Sequence, residues 1–113
     1  MSNFWDKMAK AYDNSTEKHF HDANAKIISY TKHYCTKFKD LLDLGCGTGV
    51  IILDLADAVN KITAVDASSE MIQIANQKKM EQKLENIDFS VKDISQINFA
   101  SGKYDIITAF NPI

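Results

Sequence analysis

The sequence has little of what usually punctuates or staples a chain. Its 113 residues include one proline, Pro112, and four glycines. The two cysteines, Cys35 and Cys46, form neither a CxxC motif nor a disulfide framework. No signal peptide opens the chain, and no apolar run approaches the ~20 residues of a membrane span, so a reducing cytoplasm is the expected setting. Charge of one sign is missing too. Thirteen basic and 15 acidic side chains give a net charge of -2 with no block of like sign. That leaves no electrostatic footprint for nucleic acid and no basic face for a membrane. Repeats and low-complexity tracts are absent, and the length suits one domain with one modest core.

Against that scarcity, three of the four glycines, Gly45, Gly47 and Gly49, stand two apart in "LLDLGCGTGVIILDLA", Leu41 to Ala56. An ordered glycine costs backbone entropy, so the alternation needs a reason. The flanking pattern supplies a setting. "SNFWDKMAKAYDN" spaces Phe4, Met8 and Tyr12 by four, as a helix would, and "NSTEKHFHD" reads as a loop. "DANAKIISYTKHYCTKF" places Ala23, Ile27, Tyr30, Tyr34 and Phe38 on one face of an amphipathic helix. "LLDLG" reads as a buried strand and "VIILDLADA" as the helix after it. "KITAVDAS" is a second strand, and "SSEMIQIANQKKMEQKL" a long helix with Ser68 or Ser69 as its N-cap and Glu70 in its first turn. "IDFSVKD" and "KYDIITAF" are third and fourth strands.

Strand, helix, strand, helix, strand, strand implies parallel pairing through right-handed crossovers, an open α/β sheet. Ligands of such sheets sit beyond the carboxyl ends of the strands. The informative residues are then Gly45 to Gly49, Asp66, Asp93 and Asn111. At the start of a helix, free backbone N–H groups and the helix dipole would point outward from the loop, and glycines would let a ligand approach the backbone. Asp66 follows Gly45 by 21 residues, which suits a carboxylate that accepts both hydroxyls of a ribose. The spacing narrows the class. Val50 stands where the dinucleotide fingerprint GxGxxG has its third glycine, and the Gly-Lys-Ser/Thr ending of a P-loop is missing. What remains is acid-x-G-x-G-x-G: Asp43, Gly45, Gly47, Gly49.

From Leu41 to Ile113 the chain resembles the N-terminal part of the class I methyltransferases that use S-adenosylmethionine, and "LLDLGCGTG" matches the first motif of that family almost letter for letter. The opening "FWDKMAKAYD" resembles the lead-in of small-molecule methyltransferases of the ubiquinone-biosynthesis type. The resemblance implies a Rossmann-like, mainly parallel sheet with flanking helices, truncated after the fourth strand. It divides the chain into an N-terminal helical cap, residues 1–40, and a cofactor-binding portion, residues 41–113. It also implies roles. The backbone of Gly45 and Gly47 would face the methionine part of the cofactor beside Gly49, and Asp43 would orient its ammonium group. Asp66 would bind the ribose. Ala67 and Met71 would pack on the adenine, Asp93 would accept its amino group, and Ile94 would line the other ring face. Tyr12 would lie over the cofactor, and Asn111 would face the acceptor.

The amino-methylating branch of the family has an acid or amide, two prolines and an aromatic at that last position. Asn111-Pro112-Ile113 is half of that motif, so N-methylation does not follow. Family members continue through three more strands, so strand four is expected to be an exposed edge of a shortened chain, open to self-association or to a partner chain. Three readings result. The first is a methyltransferase, or its cofactor-binding portion, acting on a small-molecule acceptor. The second is a non-catalytic cofactor-binding or partner-pairing module without an acceptor site. A nicotinamide-dependent oxidoreductase is third, disfavoured by Val50. Cys46 has no histidine near it in sequence to activate it, and His19 with His21 is too small a set for a metal.

Overall fold

A computed structural model describes residues 21–97 and 103–110. Helix α1 (His21–Lys32) leads into strand β1 (Asp40–Leu44), a 3-10 helix (Ile52–Ala58) and strand β2 (Lys61–Asp66). Helix α2 (Ser69–Glu81), strand β3 (Ile87–Val91), a short 3-10 turn (Ile94–Gln96) and strand β4 (Ile106–Thr108) complete it. All strands are parallel, in the order β3-β2-β1-β4. The chain builds outward from β1 to β3, then returns to pair β4 on the other side of β1. Strand order therefore reverses between β1 and β4, and sheets of this kind place ligands at the carboxyl ends of the strands flanking such a reversal.

The central strands are continuous apolar runs because both sheet faces are covered. Leu41 and Leu42 of β1, and Ile62, Ala64 and Val65 of β2, are buried. Leu41, Ile62 and Ala64 pack with Ile52, Leu53, Leu55, Ala56 and Val59 from the 3-10 helix segment, and with Ile72 and Ala75 of α2. Ser68 is the N-cap of α2, its hydroxyl accepting from the Met71 amide at 3.2 Å. At the amino ends of the strands, Asp105 Oδ2 accepts from the Asp40 amide at 2.9 Å and Asn60 Nδ2 donates to Asp40 Oδ1 at 2.7 Å, which closes that end of the sheet.

Four expectations change. The helix after the glycines is a seven-residue 3-10 segment, so the expected helix dipole at the loop is largely absent. Helix α1 stops at Lys32, and its inward side is not the aromatic one. Ile28 and Cys35 lie against the core and Thr31 is buried, whereas Tyr30 and Tyr34 are exposed and Phe38 is 92% exposed. Thr31 tolerates burial because its hydroxyl donates to the Ile27 carbonyl at 2.7 Å. The two tyrosine hydroxyls meet each other at 3.3 Å on the surface, where water can also reach them. Strand β3 ends at Val91 rather than Asp93, since Asp93 and Gln96 form a capping box that turns the chain. Strand β4 is three residues long and, among the described residues, pairs only with β1, leaving Ile107 51% exposed.

Candidate cofactor site at the carboxyl ends of β1, β2 and β4

The loop from Gly45 to Gly49 turns sharply off the end of β1. Gly45, Gly47 and Gly49 all have positive φ, at 72°, 60° and 85°. Gly49 is constrained twice. A Cβ there would lie 3.1 Å from Leu53 Cδ1 and 3.4 Å from Phe89 Cζ, and the left-handed backbone disfavours any L side chain. The loop amides are not the open donors the sequence suggests. Gly45 and Cys46 both donate to the Val65 carbonyl, at 2.9 and 3.0 Å, and Gly49 donates to the Cys46 carbonyl at 3.1 Å. Gly47 donates to Asp66 Oδ2 at 2.8 Å. Because β2 extends past the end of β1, its Val65 carbonyl and Asp66 carboxylate satisfy the loop from the side. The glycines therefore contribute shape, and the polar chemistry comes from the carboxylates.

Asp66 is half-buried at the end of β2. Besides Gly47, its Oδ1 accepts from the Ser68 amide at 2.9 Å, so the side chain bridges the glycine loop and the cap of α2. Asp43, in β1, is only 2% exposed. Its Oδ1 accepts from the Thr108 hydroxyl at 2.6 Å, across the β1–β4 pairing in which the two residues are register partners. Burial raises the Asp43 carboxyl to about 7, with nearby Asp66 adding to the rise and the Thr108 hydroxyl opposing it. Cys46, between the two acids, is held far above the ordinary thiol range by burial and by both carboxylates. It is a poor nucleophile, as its sequence context suggests.

The other expected residues are placed as follows. Ala67 is exposed beside Asp66, and Met71 is half-buried in the first turn of α2. Asp93 and Ile94 are exposed beyond β3, with Asp93 Oδ1 accepting from the Ser95 amide at 3.1 Å. Tyr12 and Asn111 lie outside the described residues. Asp43, the glycines and Asp66 come together on neighbouring strands, whereas Asp93 and Ile94 stand one strand further out. Sequence reasoning did not single out Thr108. The signal available was a hydroxyl in the otherwise apolar run "IITAF", in a strand expected to lie parallel to the others.

Residues 41–113 match the methyltransferase domain family. The chain belongs to that family. It is 31% identical over 109 residues to a demethylmenaquinone methyltransferase of Lactococcus lactis, covering 84% of this chain and 43% of that protein. It is 34% identical over 92 residues to a ubiquinone biosynthesis O-methyltransferase of Coxiella burnetii, covering 80% and 39%. An S-adenosylmethionine-dependent methyltransferase structure from Clostridium acetobutylicum superposes with a TM-score of 0.66 at 29% identity, covering 88% of this chain and 42% of that one. The chain thus spans about two fifths of the length of these relatives. The sheet is the open, parallel, Rossmann-like one of such enzymes.

Proposed function

We propose that the chain holds S-adenosylmethionine over the glycine loop, between β1 and β2, as the cofactor-binding part of a methyltransferase for a small-molecule acceptor. The observation that carries this reading is the left-handed glycine loop set between a buried carboxylate, Asp43, and a half-buried one, Asp66. The residues fit the cofactor. Among the described residues only Thr108 donates to Asp43, at Oδ1, so Oδ2 remains an acceptor for an ammonium group. Asp66 is already oriented by two backbone amides and keeps lone pairs for ribose hydroxyls.

Gly45, Gly47 and Gly49 shape the methionine end. Ala67, Met71 and Ile94 would hold the adenine, and Asp93 would accept from its amino group. The resemblance to the family assigns Tyr12 to the cofactor and Asn111 to the acceptor. When bound, the sulfonium supplies a methyl group that is already activated. The protein's part is to align the acceptor with it and keep water out. The names of the Lactococcus and Coxiella relatives support a small-molecule acceptor. Both cysteines are free thiols, which supports a cytoplasmic setting. We also assign self-association to the outer edge of β4, where Ile107 is half-exposed. Light scattering that finds a monomer at high concentration removes that assignment.

Titration calorimetry with S-adenosylhomocysteine, and with NADH as the control ligand, tests the main reading. Saturable binding of S-adenosylhomocysteine alone is the expected result. A folded chain that binds neither, or that prefers NADH, overturns it.

A further inference from the structure

The buried carboxylate of Asp43 is held by a residue 65 positions away. Thr108 reaches it because β4 pairs with β1 on the far side from β2, with Asp43 and Thr108 opposite each other in register. Both lie at the carboxyl ends of the two strands between which strand order reverses. Thr108 Oγ1 donates at 2.6 Å to Oδ1, which leaves Oδ2 as the atom with acceptor capacity to spare. A valine at position 108 would fill nearly the same space and donate nothing.

We propose that Thr108 is a positioning residue of the cofactor site: by holding Asp43 Oδ1 from β4, it presents Oδ2 to the ammonium group of the bound ligand. The inference rests on the reading above and adds to it which group organises the amino-acid end of the site.

The surroundings explain why such a donor matters. Asp66, at the end of β2, faces Asp43 with like charge, Cys46 of the loop is a protonated thiol, and β4 contributes the neutral hydroxyl of Thr108. Burial and Asp66 favour the protonated acid, and a protonated carboxyl attracts an ammonium group weakly. Among the described residues, the Thr108 hydrogen bond is the contact that favours the anion. Ligand affinity should therefore rise with pH as Asp43 ionises, and removing the donor should move that rise to higher pH.

The test measures S-adenosylhomocysteine affinity by calorimetry from about pH 6 to about pH 8.5; deprotonation of the ligand's own amine toward the top of that range is common to every variant and cancels in the comparison. It compares the wild-type chain with T108V, T108A, T108S and D43N. T108V and T108A should bind about tenfold more weakly near neutral pH, the size of a lost hydrogen bond to a charged group. Their affinity should also rise at a higher pH than that of the wild type. T108S should restore both properties. D43N should lack the rise of affinity with pH, and adding T108V to it should change affinity little, because the residue acts through Asp43. Folded T108V and T108A with the wild-type affinity and pH profile would overturn the inference. So would an equal loss on adding T108V in the D43N background. Absence of saturable binding by the wild-type chain would instead remove the proposed function, on which the inference depends.

Discussion

Asp43 and Asp66 sit on adjacent parallel strands at the same end of the sheet, yet they form two different regions of one site. Asp43 is the floor. It is buried, takes one side-chain hydrogen bond from β4, and has its ionisation opposed by its surroundings. Asp66 is the rim. It is half-buried and holds two backbone amides, one from the glycine loop and one from the cap of α2. The difference comes from where each strand ends. Asp43 lies within the paired part of β1 with β2 and β4 on either side, whereas Asp66 ends β2 beyond the last residue of β1. A floor carboxylate of this kind trades stability for an acceptor aimed at a cation. A rim carboxylate organises the loop and remains in contact with solvent.

The largest expected effect comes from breaking the loop that joins floor to rim. Gly49→Val places a side chain at φ 85°, against Leu53 and Phe89. The substitution should destabilise the fold by about 2–5 kcal/mol from backbone strain and overpacking, read as a lower urea midpoint.

Next, Asp43→Asn should separate stability from binding. The folded-state carboxyl is raised to about 7 from an ordinary 3.8, so the folded chain holds a proton that the unfolded chain has released between those values. Stability therefore falls as pH rises from about 4 to about 7 and is level above that. At alkaline pH the asparagine variant should be more stable than the wild type, by a few kcal/mol, because each tenfold change in proton affinity is worth about 1.4 kcal/mol. It should also bind S-adenosylhomocysteine more weakly. Urea titrations at pH 5 and pH 8 check the first point, and a wild-type chain equally stable at both would refute the floor as described.

Asp66→Ala acts on the rim. Losing a charged acceptor of backbone and ribose donors should weaken S-adenosylhomocysteine binding by about 1.5–3 kcal/mol, with only a small downward move in the pH midpoint attributable to Asp43. The downward direction follows because Asp66 helps to raise Asp43. An upward move in calorimetry across pH would contradict the pairing of the two acids.

The smallest effect belongs to Asp93→Ala, which removes the cap of the turn after β3. About 0.5–2 kcal/mol of stability should be lost, as for other N-caps. Circular dichroism melts check this, and a larger loss would mean that the turn supports more of the sheet than its exposure suggests.

The floor and the rim were not equally legible. Asp66 and the glycines are recognisable because backbone demands are local: alternating glycines point to a loop that L side chains would strain, and an acid ending the next strand is read from its spacing. The same reading misjudged what the loop offers, since the Val65 carbonyl and Asp66 occupy its amides, and both come from another strand. On α1 the aromatic periodicity suggested a core face, but the residues that pack are Ile28, Thr31 and, past the end of the helix, Cys35. Two stripes of comparable apolarity cannot be ranked until the neighbouring surface is known.

By itself, the sequence determined that the chain alternates strands and helices, that a glycine turn follows the first strand, and that an acid ends the second. Each of these is specified within a few consecutive residues, by periodicity or by an allowed φ. Tertiary structure alone decided that Thr108 meets Asp43, that burial brings that carboxyl close to neutrality, and that the loop amides are satisfied from β2. Those contacts join residues as far as 65 positions apart. Their existence depends on the register that the parallel crossovers impose, and no short stretch of sequence carries that register.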